Sequence, residues 1–155
     1  LTPNVDALAE TMKASSALPI LYRNGVLLNG TRYVDGGVSD AIPIAEAIKR
    51  GATKIMVLRS RPASYRKSKS KFGAATKRML KDTPALIEPM LTRDIRYNQA
   101  LSLIENPPEG IEIIQICPPE TFKLKRLSRS PEPLRAAYDL GLEAGKEAIM
   151  RWEQI

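Results

Sequence analysis

Two short apolar runs restrict what this chain can fold into more than any other feature: Lys54-Ile55-Met56-Val57-Leu58 and Ile111-Glu112-Ile113-Ile114-Gln115-Ile116. The first is apolar on both faces, the pattern of a strand covered on both sides in a parallel sheet. A helix precedes it closely. Pro43 suits a first helical position, because its missing N–H would have no partner there. Ile44, Ala47 and Ile48 then form the inner face of a helix to Arg50, and Gly51 closes it. Helix followed closely by buried strand is a piece of α/β architecture. With 155 residues, the chain fits one domain with a real hydrophobic core.

The N-terminal part reads differently. Asn4 caps a helix over about Val5 to Ser16, with Val5, Leu8, Ala9 and Met12 at helical spacing. Pro19 ends that region, before the apolar triplet Ile20-Leu21-Tyr22. Val26 to Val34 reads as a β-hairpin, because Asn29-Gly30 between its two halves accepts positive φ at both positions. Asp35-Gly36-Gly37 leaves the second strand. Further on, Arg61 to Lys71 is a basic, Ser-rich loop. Helical segments follow over about Phe72 to Leu80 and Glu88 to Ile104, with breaks or starts at Pro84 and Pro89. Asn106 to Gly110 is a turn, and Pro118-Pro119 stop the second strand. Thr121 to Ser130 is a basic connector. The last helix, about Glu132 to Trp152, places Leu134, Tyr138, Leu142, Gly145, Ile149 and Trp152 on one face.

Composition narrows the chemistry. The apolar fraction is 43% and the charged fraction 26%, as in soluble globular proteins. No apolar run is long enough to cross a bilayer. The single cysteine, Cys117, excludes an internal disulfide and reads as a buried structural thiol. There is no histidine, so neither a histidine triad nor a histidine metal site can form, and no cofactor is expected. The net charge of +7 favours anionic partners. Arg59 to Lys81 holds nine basic residues and no acidic one. This stretch reads either as a solvated face or as a surface for anionic membrane, with Arg66, Lys67, Lys69 and Lys71 as its contacts. A nucleic-acid role is the weaker reading, since Tyr65 and Phe72 are the only aromatics there and no specific nucleic-acid motif frames them.

Asp35-Gly36-Gly37 is the most informative site. A carboxylate at a strand end followed by two glycines sits where open α/β sheets place active sites. The glycines permit a sharp turn and close approach of a neighbour. The alternative is a tight turn whose aspartate bonds its own backbone.

The surrounding order is Ala14-Ser15-Ser16-Ala17-Leu18-Pro19, then Tyr33-Val34-Asp35-Gly36-Gly37-Val38, then Ala41-Ile42-Pro43-Ile44. This order resembles the patatin-like phospholipase family. Leu134-Arg135-Ala136-Ala137-Tyr138-Asp139-Leu140-Gly141 also looks like that family's terminal helix. The resemblance implies a Ser–Asp dyad acyl hydrolase that works without histidine, with Asp35 as the dyad aspartate and Gly36 and Gly37 shaping its turn. It implies a partial patatin-like α/β fold, with a mostly parallel sheet flanked by helices.

The family's serine stands in a Gly-x-Ser-x-Gly elbow, which this sequence lacks. Gly141 and Gly145 have that spacing but enclose Glu143. Gly37-Val38-Ser39-Asp40-Ala41 imitates an elbow without its final glycine. The chain, starting at Leu1-Thr2-Pro3-Asn4, is therefore expected to be a fragment: the C-terminal part of a patatin-like domain, without the elbow. Its expected parts are an Asp-Gly-Gly region to about residue 60, a variable region to about 130, and a terminal helix. The expected partners are a lipid or ester substrate, a peripheral membrane surface and, through an incomplete sheet, a second copy. The expected setting is the bacterial cytoplasm, peripheral to the inner membrane face. The competing reading is a non-catalytic module that binds anionic membrane or a partner.

Overall fold

The computed structural model describes residues 5–19, 21–22, 24–69, 73–124 and 128–154. Asn4, Ile20, Lys71 and Phe72, each given a place in the reading above, lie outside the described residues. The chain divides into two compact units, each made of two stretches. One comprises Leu1–Ile42 and Lys67–Asn98; the other comprises Pro43–Arg66 and Gln99–Ile155.

In the first unit, α1 (Val5–Ser15) precedes a hairpin of β1 (Val26–Leu28) and β2 (Thr31–Tyr33). The strands pair antiparallel, with Val26 opposite Tyr33 and Leu28 opposite Thr31. Asn29 at φ +50° and Gly30 at φ +79° make the connection. Two consecutive left-handed residues match the twist of the flanking strands, as Asn-Gly dictates. The core under the hairpin is Ala14, Ala17 and Val26, with Leu28 packed against it. Small residues let α1 close on β1, whereas the stripe of Val5, Leu8, Ala9 and Met12 stays exposed.

Three helices complete this unit: α3 (Gly73–Met79), α4 (Ile87–Leu91) and the start of α5 (Arg93–Glu105). Pro84 opens a short 3-10 turn before α4. The helix expected over Glu88 to Ile104 is two helices, parted at Thr92. The Thr92 hydroxyl donates to the Glu88 carbonyl at 3.0 Å. Such back-bonding to residue i−4 bends helices.

The second unit is built on β3 (Lys54–Leu58) and β4 (Glu112–Ile116). They pair parallel in unbroken register, Lys54 opposite Glu112 through Leu58 opposite Ile116. Among the described residues, the strands form this two-stranded parallel sheet and the two-stranded hairpin. The expected mostly parallel sheet is thus one parallel pair. Ile55, Met56 and Val57 are half-buried and Leu58 is exposed, so β3 is not covered on both faces as its composition suggests. Helix α2 (Ile44–Lys49) packs on β3, and α6 (Pro131–Trp152) packs on β4. Ile44, Leu101, Ile104, Ile114 and Ala148 are buried.

Helix α6 corrects the sequence reading. Its inward positions are Ala137, Ala144, Gly145, Ala148 and Trp152, all buried or half-buried. Leu134, Tyr138, Leu142 and Ile149, expected on the inner face, are 42%, 68%, 48% and 59% exposed. Small side chains bring the helix close to β4, where bulkier ones would hold it off. At its end, the Lys54 ammonium donates to the Trp152 carbonyl at 2.6 Å and lies 4.5 Å from the indole centroid.

Arg59 fixes the loop after β3. It is buried, and its guanidinium donates to the carbonyls of Pro62 (3.2 Å), Ala63 (3.4 Å) and Tyr65 (3.4 Å) and to Gln115 Oε1 (3.0 Å). Arg59→Met should therefore lower stability by about 1–3 kcal/mol, because it strips several carbonyls of their donor at once. Arg59→Lys should recover little of this, since one ammonium cannot span a fan of acceptors. Urea unfolding of the three proteins measures both effects.

Candidate active site

The site is a turn held from three sides within the first unit. Strand β2 ends at Tyr33, and Asp35 then caps a single 3-10 turn, Gly36–Val38. The Asp35 N–H donates to the Ala17 carbonyl at 2.9 Å, which ties the end of the hairpin to the core under α1. The Val38 N–H donates back to the Asp35 carbonyl at 3.0 Å. The Val38 side chain is buried at 2% exposure and anchors the far end.

The Asp35 carboxylate is half-buried, and its Oδ1 accepts from the Gly37 N–H at 2.7 Å. Its other oxygen, Oδ2, has no hydrogen-bond partner among the described residues. One oxygen is thus anchored by the backbone while the other is uncommitted. Gly37 matters for space rather than for φ. A Cβ at this position would lie 3.0 Å from Asp35 Oδ1 and 3.1 Å from Arg93 Nη2. Glycine lets the carboxylate and the guanidinium flank the same stretch of backbone.

Sequence reasoning missed the two arginines that open α5. Arg96 Nη2 donates to the Val38 carbonyl at 3.1 Å and also to the Pro89 carbonyl. Its Nη1 donates to Thr92 Oγ1 at 2.6 Å. Arg96 thus staples the end of the Asp35 turn to the break between α4 and α5. Arg93, one helical turn earlier, stands beside Gly37. The Arg-x-x-Arg spacing is visible in the sequence, but its target, the Val38 carbonyl, is 58 positions away in sequence.

The other residues singled out from the sequence do not assemble here. Ser39 is exposed, has helical dihedrals (φ −91°, ψ −47°), and spends its hydroxyl on the Gly36 carbonyl at 3.2 Å. That is the end of a 3-10 turn, not a nucleophile elbow. Asp35 itself follows an antiparallel hairpin strand, not a strand of the parallel pair. Arg66 belongs to the second unit, where it donates to the Ala63 and Tyr65 carbonyls and pairs with Glu105. Lys67 and Lys69 belong to the first unit. The Lys67 backbone is held by Asn98, which accepts from its N–H and donates to its carbonyl, both at 2.9 Å. Lys69 is exposed, and Lys71 lies outside the described residues. No cluster of three or more His, Cys, Asp or Glu that could hold a metal ion occurs among the described residues. Among those residues, no helix is long and apolar enough to cross a membrane.

Residues 1–48 match the family model of patatin-like phospholipases. The match includes the hairpin, Asp35-Gly36-Gly37 and the start of α2. Residues 83–155 match a different model, Domain of unknown function (DUF6363). The terminal-helix stretch Leu134–Gly141 falls inside that second match, not inside the patatin-like one. The chain is 34% identical over 139 residues to a protein of Escherichia coli (strain K12) that carries the name "Uncharacterized protein YjjU". The aligned part is 88% of this chain and 39% of that relative, so the chain spans well under half of the relative's length. No solved structure matches.

The staple makes its own prediction. Arg96→Met removes the donors to Val38, Pro89 and Thr92 and should cost about 1–3 kcal/mol of stability. A fall in melting temperature, with the far-ultraviolet dichroism retained below it, is the expected result. An unchanged melting temperature would show that the turn holds without Arg96.

Proposed function

We propose that this chain supplies the aspartate of a serine–aspartate dyad that hydrolyses acyl esters of lipids, and that Asp35 is that aspartate. The observation that carries this reading is the state of the Asp35 carboxylate. Oδ1 is fixed by the Gly37 N–H, and Oδ2 is left to accept a hydroxyl proton. The similarity of residues 1–48 to patatin-like phospholipases supports it. The serine comes from outside these 155 residues, which contain no Gly-x-Ser-x-Gly. The chain by itself is therefore expected to lack hydrolase activity.

In such a dyad the carboxylate serves as the base in both steps. Oδ2 receives the serine hydroxyl proton as the serine oxygen attacks the ester carbonyl. The proton passes to the departing alcohol oxygen, and an acyl-enzyme remains. A water then gives its proton to Oδ2 and attacks the acyl carbonyl, and the serine leaves with that proton. A carboxylate is a weak base toward a hydroxyl, so orientation has to do much of the work. The backbone bond to Oδ1 supplies it.

Asp35→Asn separates catalysis from structure. Asparagine caps as well as aspartate, so the Gly37 bond and the 3-10 turn should survive within about 0.5 kcal/mol. Its amide cannot take up the hydroxyl proton. Turnover of a short-chain nitrophenyl ester by the whole protein should fall by about 100-fold or more, with an unchanged melting temperature. Turnover near wild type would remove Asp35 from the mechanism.

A further inference from the structure

Arg93 is half-buried, and its Nε is shielded from solvent without a partner. Among the described residues, its guanidinium makes no hydrogen bond or ion pair. A guanidinium whose Nε is shielded and whose terminal nitrogens make no hydrogen bond keeps its donors open to a ligand. Arg93 also lines a cavity of about 270 Å³, together with Lys67, Ser68, Met90 and Asp94. The lining carries two cations and one carboxylate, so its net charge is a single positive one. A volume of that size admits one group of a small molecule or a lipid headgroup. On its other side, Arg93 Nη2 comes within 3.1 Å of the point where a Gly37 Cβ would stand, and Asp35 Oδ1 lies 3.0 Å from that point.

We infer that the Arg93 cavity is an anion subsite that holds the phosphodiester of a phospholipid beside Asp35, making Arg93 a specificity-determining residue. This rests on Asp35 being the dyad aspartate. The chemistry of the ligand fits. A guanidinium presents paired N–H donors that match two phosphate oxygens. In a glycerophospholipid, a few bonds separate the phosphodiester from the nearest acyl ester, so one molecule can reach both groups. A phosphodiester carries one negative charge, whereas free phosphate near neutral pH carries more and is opposed more strongly by the carboxylates of Asp94 and Asp35.

Two measurements on the whole protein test this. The first is calorimetric titration with glycerophosphocholine and, separately, with inorganic phosphate. Wild type should bind glycerophosphocholine more tightly than inorganic phosphate. Arg93→Met should weaken that binding by about 10-fold or more, and Arg93→Lys should restore part of it. Absence of glycerophosphocholine binding to wild type overturns the proposal. So does tighter binding of inorganic phosphate, which marks a free-phosphate site. So does undiminished binding by a folded Arg93→Met. If that variant fails to melt cooperatively, the wild-type titrations and Arg93→Lys decide. The second measurement compares a short-chain phosphatidylcholine with a neutral nitrophenyl ester. Arg93→Met should raise KM for the phospholipid at least 10-fold more than KM for the neutral ester. Equal changes overturn the proposal. If wild type hydrolyses neither substrate, the dyad reading falls, and the titrations still judge the anion subsite.

Discussion

The short hydrogen bond from the Gly37 N–H to the Asp35 carboxylate is the contact on which the rest of the site depends. It caps a 3-10 turn, sets the direction of the carboxylate, and leaves one oxygen uncommitted. The turn would be weak alone, since three residues of 3-10 helix supply little cooperativity. It persists because its ends are held elsewhere. Ala17 accepts from the Asp35 N–H at one end, and Arg96 donates to the Val38 carbonyl at the other. A carboxylate held by backbone and packing keeps its direction without reorganisation.

The two units solve the same stability problem by different means. The first relies on close approach of small residues, Ala14 and Ala17 against Val26, under a hairpin whose turn is locally encoded. The second relies on a parallel pair of strands whose partners are far apart in sequence. Loop closure over that distance costs entropy before any contact forms. Arg59 and Lys54 offset part of it. Arg59 gathers the chain leaving β3, and Lys54 fastens the end of α6 to the start of the same strand. Both basic residues belong to a stretch or composition that suggests anionic partners, yet both are consumed internally. A sequence charge of +7 therefore overstates what is available to a partner.

What the sequence could tell depended on the range of the interactions involved. The hairpin was legible because Asn29-Gly30 dictates positive φ at two adjacent positions, and nothing distant competes with that. The boundaries of α2 were legible from Pro43 and Gly51 for the same reason. The inner face of α6 was not. Binary pattern points to Leu134, Tyr138, Leu142 and Ile149, but the sheet beneath accepts Ala137, Ala144 and Ala148. Periodicity reports which residues are apolar, not how near the neighbouring strand will come. The break at Thr92 was hidden too, because a threonine in a helical run is ordinary unless its hydroxyl turns back. Asp35 was legible as a candidate from its two glycines, but the sheet it follows was misread. A strand end looks the same in a hairpin as in a parallel sheet.

Arginine was the least legible residue, and the fold contains its own comparison. Arg59, Arg93 and Arg96 all bury an Nε that finds no partner. Arg59 repays that burial by serving three carbonyls and Gln115, and Arg96 by serving Val38, Pro89 and Thr92. Both spend their terminal donors on acceptors within the chain. Arg93 shields its Nε in the same way and makes no hydrogen bond among the described residues. Burial is common to all three, so burial does not distinguish function from structure here. The distinguishing quantity is what the terminal nitrogens do. Gly37 adds the spatial half of the argument, because any side chain there would press on both Arg93 and Asp35. The absence of that side chain costs backbone entropy. What it secures is a cation and a carboxylate on either side of one peptide.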